Sequence, residues 1–392
     1  MIKKFRLIFE NMIIAAKHLI NRRANIIKEF PKDPYEIIIL CRLLVSPIMF
    51  KSQLNNEYDY FVYENEGVRI TDGSCVPELK CWILEDCTIL QNGLIITSDN
   101  QFLMINVRGR WVEMAKRIRP DLNRPRQLLK FLIHPIHYYL NDKIYESNHV
   151  SLYFTGQICS VYFHWVLEFL PSLRAAKVAE SIGLQPKIVI NSNLPKYVSE
   201  SIEAIYGINS PEIGQTYNSS LRGTMIIPEI RPFSGNDYAG TVAEISFLRD
   251  QLVKPEMFHT TDEYIFSSRE DADSRRILNR QNLLNQLNEF DLREYAPGNH
   301  NLKDQILTFA NAELIVGPHG SNLTNIVFGE DLTVIEIIGD QPHNRCYEYI
   351  SESLGFEHVY LNSKKISGNY EIEFSKLENC MLEYGRIYSE TS

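Results

Sequence analysis

The sequence has no run of apolar residues long enough to cross a membrane as a helix. A helical span needs ~20 apolar residues, and the best candidate, residues 37–50, is interrupted by Cys41-Arg42. A cleavable leader is also missing, because residues 1–16 contain no continuous apolar block and no small-residue cleavage site. These absences predict a cytoplasmic protein.

Cysteine is scarce and scattered, with seven residues in the chain and no C-x-x-C pair. An odd count in a long chain favours reduced thiols. Cys75, Cys81 and Cys87 are evenly spaced, but no histidine accompanies them, and the spacing is more typical of buried strand positions than of a metal site. An acidic D-x-D motif after an apolar strand is also missing, since residues 271–273 lie in a polar loop beside arginines. The sequence therefore predicts no metal and no other cofactor.

Net positive charge is absent as well. The formal net charge is −9 and the isoelectric point is about 5.7, which argues against a nucleic-acid-binding protein. Hydrophobic residues make up 44% of the chain, as in a globular protein with a sizeable core. A length of 392 residues predicts two or three domains.

Residues 1–30 are basic, and their apolar residues recur at helical spacing. One interpretation is an amphipathic helix on an anionic membrane surface, at the inner face of the cell membrane. The other is a helix that packs on the rest of the protein with its charges in solvent. The next region, residues 31–145, contains short apolar runs separated by Asp-Gly and Asn-Gly turns, which predict a small β-rich region followed by a linker.

From residue 146 onward, predicted strands and helices alternate, which is typical of an open α/β sheet. We expect two Rossmann-like domains, residues 146–255 and 256–369, and a C-terminal helical segment, residues 370–392, that packs back on the first of them.

A glycine turn lies between two predicted strands, residues 313–316 and 333–338. The turn is Gly317-Pro318-His319-Gly320, and Ser321 or Asn322 can cap a short helix after it. In such β-α-β units ligands bind beyond the carboxyl ends of the strands, and a helix start offers backbone N–H groups to a phosphate. The stretch therefore predicts a phosphate site.

Two further features suggest a site. Glu336 interrupts the apolar run of the second strand, and a carboxylate is costly there unless something binds it. His164 and Glu168 are four residues apart in an aromatic stretch, so they share one face of a predicted helix. For the second pair we favour a role at the site over a polar pair at the surface.

The ordered set of motifs resembles glycosyltransferase family 61, over roughly residues 150–360. One departure is Arg280, which stands where the family usually has Glu, and this puts any role of that Glu in doubt. The motifs are His164-x-x-x-Glu168-x-Leu170-Pro171-x-Leu173, Ser268-Arg269, Arg275-Arg276-Ile277-Leu278-Asn279, Gln305-Ile306, Gly317-Pro318-His319-Gly320 and Glu336.

This resemblance implies a GT-B-like α/β architecture, with two Rossmann-like domains facing across a cleft and a nucleotide-sugar donor against the second. Glu168 or His164 would be the general base, and Glu336 would accept from the ribose hydroxyls. The diphosphate and leaving oxygen would contact the remaining candidates, which are Arg269, Arg275 or Arg276, Gly317, His319, Gly320, Ser321 and Asn322.

The function that these features predict is an inverting, metal-independent glycosyltransferase of bacterial surface polysaccharide synthesis, with a glycan or lipid-linked glycan as acceptor. A nucleotide-sugar epimerase of similar fold is one alternative, and it would turn over donor without acceptor. A non-catalytic glycan- or nucleotide-binding relative is the other, and only Arg280 favours it.

Overall fold

The computed structural model describes residues 50–51, 60–64, 79–89, 94–96, 98, 102–104, 144–147, 149, 151–154, 160–191, 194–206, 213–216, 220–231, 233, 238–258, 263–286, 290–339 and 344–384. The predicted N-terminal helix, residues 1–30, lies outside this set. The described chain is mixed α/β, as predicted, and its contacts divide it into two compact units. Among the helices that the structure describes, none is long and apolar enough to cross a bilayer.

The first unit contains residues 1–59, 82–151 and 216–226, and its described part is β-rich. Strands β3, β4 and β5 form an antiparallel meander, while β1 pairs with β5 and β6 with β10 in parallel. Cys81 and Cys87 are buried on β3, as their spacing predicts. The strands that the structure describes up to residue 228 are β1 (Phe50–Lys51), β2 (Tyr60–Glu64), β3 (Leu79–Ile89), β4 (Leu94–Ile96), β5 (Phe102–Met104), β6 (Ile144–Glu146), β7 (Ser151–Phe154), β8 (Lys187–Asn191), β9 (Ile213–Thr216) and β10 (Ser220–Pro228).

The second unit contains residues 60–81, 152–215 and 227–392, and it includes every candidate site residue. The predicted boundary between residues 255 and 256 lies inside this unit. Its N-terminal part carries β7, β8 and β9 as neighbouring strands in that order. The helices of this part are α1 (Tyr162–His164), α2 (Arg174–Ser181), α3 (Lys196–Tyr206) and α4 (Tyr238–Leu252), with a 3-10 turn at Pro255–Met257.

The rest of the unit is built on a five-stranded, wholly parallel sheet in the order β12–β11–β13–β14–β15. The strands are β11 (Glu263–Ser267), β12 (Arg293–Tyr295), β13 (Ala312–Pro318), β14 (Thr333–Ile338) and β15 (Glu357–Asn362). A hairpin of β16 (Lys364–Ile366) and β17 (Asn369–Glu371) follows. The helices are α5 (Arg280–Gln286), α6 (Leu302–Ala310), α7 (Cys346–Leu354) and α8 (Phe374–Tyr384), with 3-10 helices at Pro297–Asn299 and Ser321–Phe328.

The strand order identifies where a ligand is expected. Numbered by their order along the chain, the five strands lie in the order 2-1-3-4-5. The second strand, β12, lies on one side of β11, and the later strands β13, β14 and β15 lie on the other side. In doubly wound sheets the ligand crevice opens at this switch point, beyond the carboxyl ends of the first and third strands. Here those strands are β11 and β13, which end at Ser267 and Pro318.

Helix α8 covers this same sheet. Leu377 and Met381 are four residues apart, fully buried, and belong to one apolar cluster with Phe266 and Ile335. The prediction that residues 370–392 pack on the first Rossmann-like domain is therefore wrong for α8. The amphipathic stripe was recognisable from the sequence, but its spacing alone does not tell which surface it covers.

Candidate active site

The carboxyl ends of β11 and β13 lie side by side. Phe266 is in register with Val316, which brings Ser267 next to the glycine turn. A β-carbon on Gly317 would lie 3.0 Å from the carbonyl oxygen of Ser267 and 3.1 Å from a methyl of Leu323. The neighbouring atoms would have to move by a few tenths of an ångström to admit a β-carbon, so the close approach favours glycine at this position.

Arg269 follows β11 and is 7% exposed. Its Nε donates to the carbonyl oxygen of Ser274 over 3.1 Å, while no acceptor in the described part of the chain bonds to its Nη1. Burial, and then the nearby charge of Arg275, lower the pKa of this guanidinium. A buried cation with an unused donor is the environment in which an anionic ligand adds most.

Gly320 makes room for that guanidinium. A β-carbon at this position would lie 2.0 Å from Nη1 of Arg269 and 2.7 Å from its Cζ. The absence of a side chain on Gly320 thus places the arginine against the backbone of the turn. The predicted association of Arg269 with the turn at Gly317–Gly320 is present in the geometry.

Two hydroxyls that were not predicted as site residues lie beside Arg269. Ser267 and Ser268 are each 1% exposed, and neither hydroxyl has a hydrogen-bond partner among the residues that the structure describes. Buried polar groups are nearly always paired, so two adjacent hydroxyls without a partner in the described residues make the end of β11 a candidate ligand contact. The sequence signal was a pair of serines at the end of a strand, which is too common to single out.

The neighbouring arginines have different roles. Arg275 has a φ of +61°, a left-handed conformation that costs about 1–3 kcal/mol in a residue with a side chain. The guanidinium of Arg276 donates hydrogen bonds to the carbonyl oxygens of Ala272 and Glu270, over 2.5 and 3.3 Å. Arg275 therefore remains a phosphate candidate, whereas Arg276 stabilises the loop.

The loop that carries both arginines is joined to the C-terminal hairpin. The N–H of Arg275 donates to the carbonyl of Gly368, and Leu278 and Tyr370 extend this pairing. The Asn279 amide donates to the carbonyl of Ile372 over 2.7 Å and accepts from its N–H over 3.1 Å. The conformation of Arg275 is therefore fixed from outside its own loop.

Ser321 and Asn322 correct a prediction. The helix after the turn is a 3-10 helix with Gly320 at its N-cap, and neither side chain caps it. The Asn322 amide instead donates to the carbonyl of Ser268 at 2.8 Å and to the Asp271 carboxylate at 3.1 Å. Asn322 therefore holds the loop after β11 instead of capping the helix.

His319, in the turn after β13, is paired with the buried Glu336 of β14. Nδ1 of His319 bonds to Oε1 of Glu336, and Nε2 of His358, on β15, bonds to Oε2 over 2.9 Å. Nδ1 of His358 lies 2.8 Å from the hydroxyl of Ser351 on α7. The four side chains form one continuous network, of which His358 and Ser351 were not predicted.

The carboxyl group of Glu336 is fully buried. Burial pushes its pKa upward, but the hydrogen bonds from His319 and His358 outweigh this and hold the pKa below its ordinary value. Both carboxylate oxygens are engaged by these rings, so the predicted contact of Glu336 with ribose hydroxyls is not supported. A buried Glu in a strand does need a partner, and the partners are His319 of the glycine turn and His358 of β15.

A second histidine–carboxylate pair lies at α1. Nδ1 of His164 is 2.7 Å from Oε2 of Glu168, as their spacing predicts, and Oε1 of Glu168 accepts from the N–H of Phe233 over 3.0 Å. The chain from Trp165 to Phe169 is a π-helical turn with Glu168 facing the interior. Because Glu168 is 7% exposed and His164 30%, the imidazole is the member of the pair that a substrate can reach.

Side-chain contacts join this helix to the turn region within the second unit. The hydroxyl of Tyr162 donates to Oδ1 of Asn325, in the 3-10 helix after the turn, over 2.5 Å. The ring of Tyr347 packs edge-on against Phe163, 5.8 Å between centroids, and against His319 at 5.1 Å. The two histidine–carboxylate pairs thus border one packed aromatic cluster.

Two other predicted features are accounted for by local contacts. The carboxylate of Asp271 accepts from the N–H of Gly298 over 2.6 Å as well as from Asn322, so residues 271–273 form a structural turn. Arg280, which replaces the family's Glu, pairs with Glu294 on β12. Within the described ranges, no group of three or more His, Cys, Asp or Glu side chains is arranged to hold a metal ion.

The family model described as Glycosyltransferase 61 matches residues 162–335, and this confirms the resemblance that the sequence motifs suggested. No curated protein matches the chain. Two solved structures are similar at 10% identity and a TM-score of 0.30: E. coli heptosyltransferase WaaC with ADP and with ADP-2-deoxy-2-fluoro heptose. They cover 60% of this chain and 97% and 99% of their own. Similarity at that level does not assign a fold.

Proposed function

We propose that the chain, whose residues 162–335 match the model of glycosyltransferase family 61, transfers a sugar from a nucleotide-sugar donor to a hydroxyl of a glycan acceptor, with inversion and without a metal ion. The observation that carries the proposal is the buried guanidinium of Arg269, which lies against Gly320 at the switch point of a parallel sheet and whose Nη1 has no acceptor among the described residues.

The donor diphosphate fits this part of the second unit. Arg269 and Arg275 supply positive charge, and Ser267 and Ser268 supply two hydroxyl donors that have no partner in the part of the chain that the structure describes. When the anomeric C–O bond breaks, its electron pair goes to a phosphate oxygen, and fixed cations stabilise the charge that grows there. A divalent metal performs the same task in other transferases, so these arginines support metal independence.

His164 is the general base in this proposal. An acceptor hydroxyl gives its proton to Nε2 of His164 while its oxygen forms the new bond to the anomeric carbon on the face opposite the departing diphosphate. Glu168 accepts from Nδ1–H, which fixes the tautomer and balances the imidazolium that results. Of the two residues between which the sequence left the choice open, His164 is therefore the base and Glu168 orients it.

His319 is placed on the donor side. It belongs to the same turn as Gly320, and its Nδ1 is engaged by Glu336. An Nε2–H on that ring would donate to the diphosphate as charge develops on the leaving oxygen.

We further propose that the enzyme acts in bacterial surface polysaccharide synthesis on a lipid-linked glycan, with a GT-B-like arrangement. The basic character of residues 1–30 supports action at the cytoplasmic face of the membrane.

Calorimetry with UDP, GDP, CMP and TDP, each with and without EDTA, tests the donor site. We expect one of the four nucleotides to bind, with the same affinity in the presence and absence of EDTA. Arg269→Ala and Arg275→Ala should each weaken binding about 10- to 100-fold, the range for a hydrogen bond to a charged group worth ~1.5–3 kcal/mol.

Arg280→Ala is the matched control, because Arg280 lies in the same region but its guanidinium is paired with Glu294 and both side chains are only partly exposed. Its nucleotide affinity should equal that of the wild type. Equal losses in Arg280→Ala and Arg269→Ala would mean a nonspecific effect of charge, and binding of none of the nucleotides would contradict the donor site. Transfer from the matching nucleotide sugar, with product anomers determined by NMR, then tests inversion.

A further inference from the structure

Three polar side chains form a hydrogen-bonded chain between α1 and α6. Asn325, at its centre, is fully buried in the 3-10 helix at Ser321–Phe328, and Gln305 on α6 is 5% exposed. The Asn325 amide donates to Oε1 of Gln305 over 3.0 Å, and its Oδ1 accepts from the hydroxyl of Tyr162. A buried carboxamide is costly unless its donors and acceptor are paired, so these side chains need one another. The proposed mechanism gives none of the three a role.

One backbone carbonyl fixes the direction of each bond in this chain. The carbonyl oxygen of His300 can only accept, and it accepts from Nε2 of Gln305 over 3.0 Å. Oε1 of Gln305 therefore faces Asn325, which must present its Nδ2 there, and the remaining oxygen of Asn325 requires Tyr162 to donate. Burial raises the pKa of Tyr162, so its hydroxyl keeps the hydrogen that it donates.

The Asn325 amide also connects to the loop after β11. Its Nδ2 donates to the backbone carbonyl of Asn322 over 3.3 Å, and the Asn322 side chain donates to the carbonyl of Ser268 over 2.8 Å. Ser268 directly precedes Arg269. The helix that carries the proposed base and the loop that carries the proposed phosphate ligand are therefore connected through Asn325.

The 3-10 helix that contains Asn325 depends on contacts from outside. It is eight residues long, whereas 3-10 runs beyond three or four residues are uncommon because their hydrogen-bond geometry is poorer. It follows Gly320 directly, so a shift of this helix would move the glycine turn. At its C-terminal end, Nη1 of Arg249 on α4 donates to the carbonyl oxygens of Val327 and Gly329. Side chains of other elements thus hold the helix both at Asn325 and at its end.

We propose that Tyr162, Asn325 and Gln305 are positioning residues that set the proposed base, His164, against the glycine turn. Tyr162 begins α1, two residues before His164, so its bond to Asn325 fixes where this helix starts. Gln305 anchors the Asn325 amide to α6 and thereby holds the turn. Loss of the first bond should disturb the base, and loss of the second should disturb the donor site. This proposal rests on the proposed function and deepens it.

Kinetics of the full-length protein with its nucleotide sugar test the base end of the chain. Tyr162→Phe removes one hydroxyl and should lower kcat about tenfold, less than the ~10²-fold that a misplacement of 1 Å can cost. Its nucleotide affinity should equal that of the wild type. Tyr206→Phe is the matched control, because the Tyr206 hydroxyl donates to the carbonyl of Leu173 over 2.7 Å, outside this chain. Unchanged kcat in Tyr162→Phe, or an equal loss in Tyr206→Phe, would overturn the proposal.

Calorimetry with the nucleotide tests the donor end without any transfer. Gln305→Met keeps the length of the side chain but loses both amide bonds, so affinity should fall about threefold to tenfold, the range for a neutral hydrogen bond. Gln281→Met is the control, because the Gln281 amide donates to Asn285 on the exposed surface of α5. Wild-type affinity in Gln305→Met, or an equal loss in Gln281→Met, would show that the chain does not hold the turn.

The double variant of Tyr162→Phe and Gln305→Met tests whether the two ends act through Asn325. Residues that share one hydrogen-bond network couple, so the loss in kcat/KM for the donor should be smaller than the product of the two single losses. A loss equal to that product would contradict the proposal. If the wild type binds its nucleotide but transfers no sugar, the proposed function fails, and the affinity of Gln305→Met still decides whether the chain holds the turn.

Discussion

Nη1 of Arg269 lies 2.0 Å from the point that a β-carbon on Gly320 would occupy. The two residues are far apart in sequence, yet the side chain of one fills the space that the other leaves empty. The position of the Arg269 guanidinium therefore depends on the space beside Gly320. A single methyl group added at Gly320 tests this dependence.

Gly320→Ala should displace the Arg269 guanidinium, because its far end can move more easily than the turn can. We expect a folded protein whose affinity for its nucleotide falls at least tenfold, measured by calorimetry. In an Arg269→Ala background the same methyl group meets no guanidinium, so Gly320→Ala should then have almost no further effect. Additive losses in the double variant would contradict this relationship.

Ser267→Ala and Ser268→Ala should separate stability from binding. Each serine buries a hydroxyl that lacks a hydrogen-bond partner in the described residues, so its removal should leave the melting temperature unchanged or slightly higher. If the hydroxyls bind phosphate, affinity should fall about threefold to tenfold, since a neutral hydrogen bond contributes ~0.5–1.5 kcal/mol. Scanning calorimetry and nucleotide titration measure the two effects, and unchanged affinity in both variants would remove the serines from the site.

His164→Ala should lower kcat by about 10²–10⁴-fold, the usual contribution of a general base. The KM for the donor should change little, because the base acts on the acceptor. Glu168→Gln should have a smaller effect, since His164 itself remains. His300→Ala, which removes an exposed histidine stacked on Tyr295, is the control, and a loss there equal to that of His164→Ala would argue against a base role.

Glu336→Gln should alter the acid stability. The folded-state pKa of Glu336 is lowered, so its ionised form stabilises the fold above the unfolded pKa, about 4.3, and this contribution is lost as pH falls through the folded-state pKa. At pH 5 the free energy of unfolding of the variant should be ~1–3 kcal/mol lower than that of the wild type, because the substitution disrupts a buried network.

Melting curves at pH 5, 4 and 3.5 test the sign. The difference between wild type and Glu336→Gln should shrink as the pH falls over this range. A difference that widens on acidification would mean that the pKa of Glu336 is raised by folding, and hence that burial outweighs the two histidines.

The second half of the fold was predictable because its strands are buried on both faces. β11, β13 and β14 are nearly continuous apolar runs, as parallel strands covered by helices are, and the glycine turn separates two of them. The predicted span of β14, residues 333–338, agrees with the structure. The pair of His164 and Glu168 was predictable for the same local reason, since helical spacing alone brings them together.

The roles of Glu336, Ser321 and Asn322 could not be read in this way. The partner of Glu336 beyond the turn is His358, on a strand whose register with β14 no local pattern reveals. Asn322 bonds to the loop after β11, and α8 covers the five-stranded sheet. Each of these depends on a contact between segments distant in the chain, whereas spacing reports only on neighbours.

The joint between the Arg275 loop and the hairpin that follows β15 has a practical consequence. A fragment cut at residue 335, where the family match ends, would keep Arg269, Arg275 and the glycine turn, but Gly368, Tyr370 and Ile372 would be gone. Without them nothing holds Arg275 in its left-handed conformation. The smallest piece worth expressing, or grafting onto another transferase, therefore runs at least through the hairpin and the buried face of α8, although neither supplies an atom to the proposed chemistry.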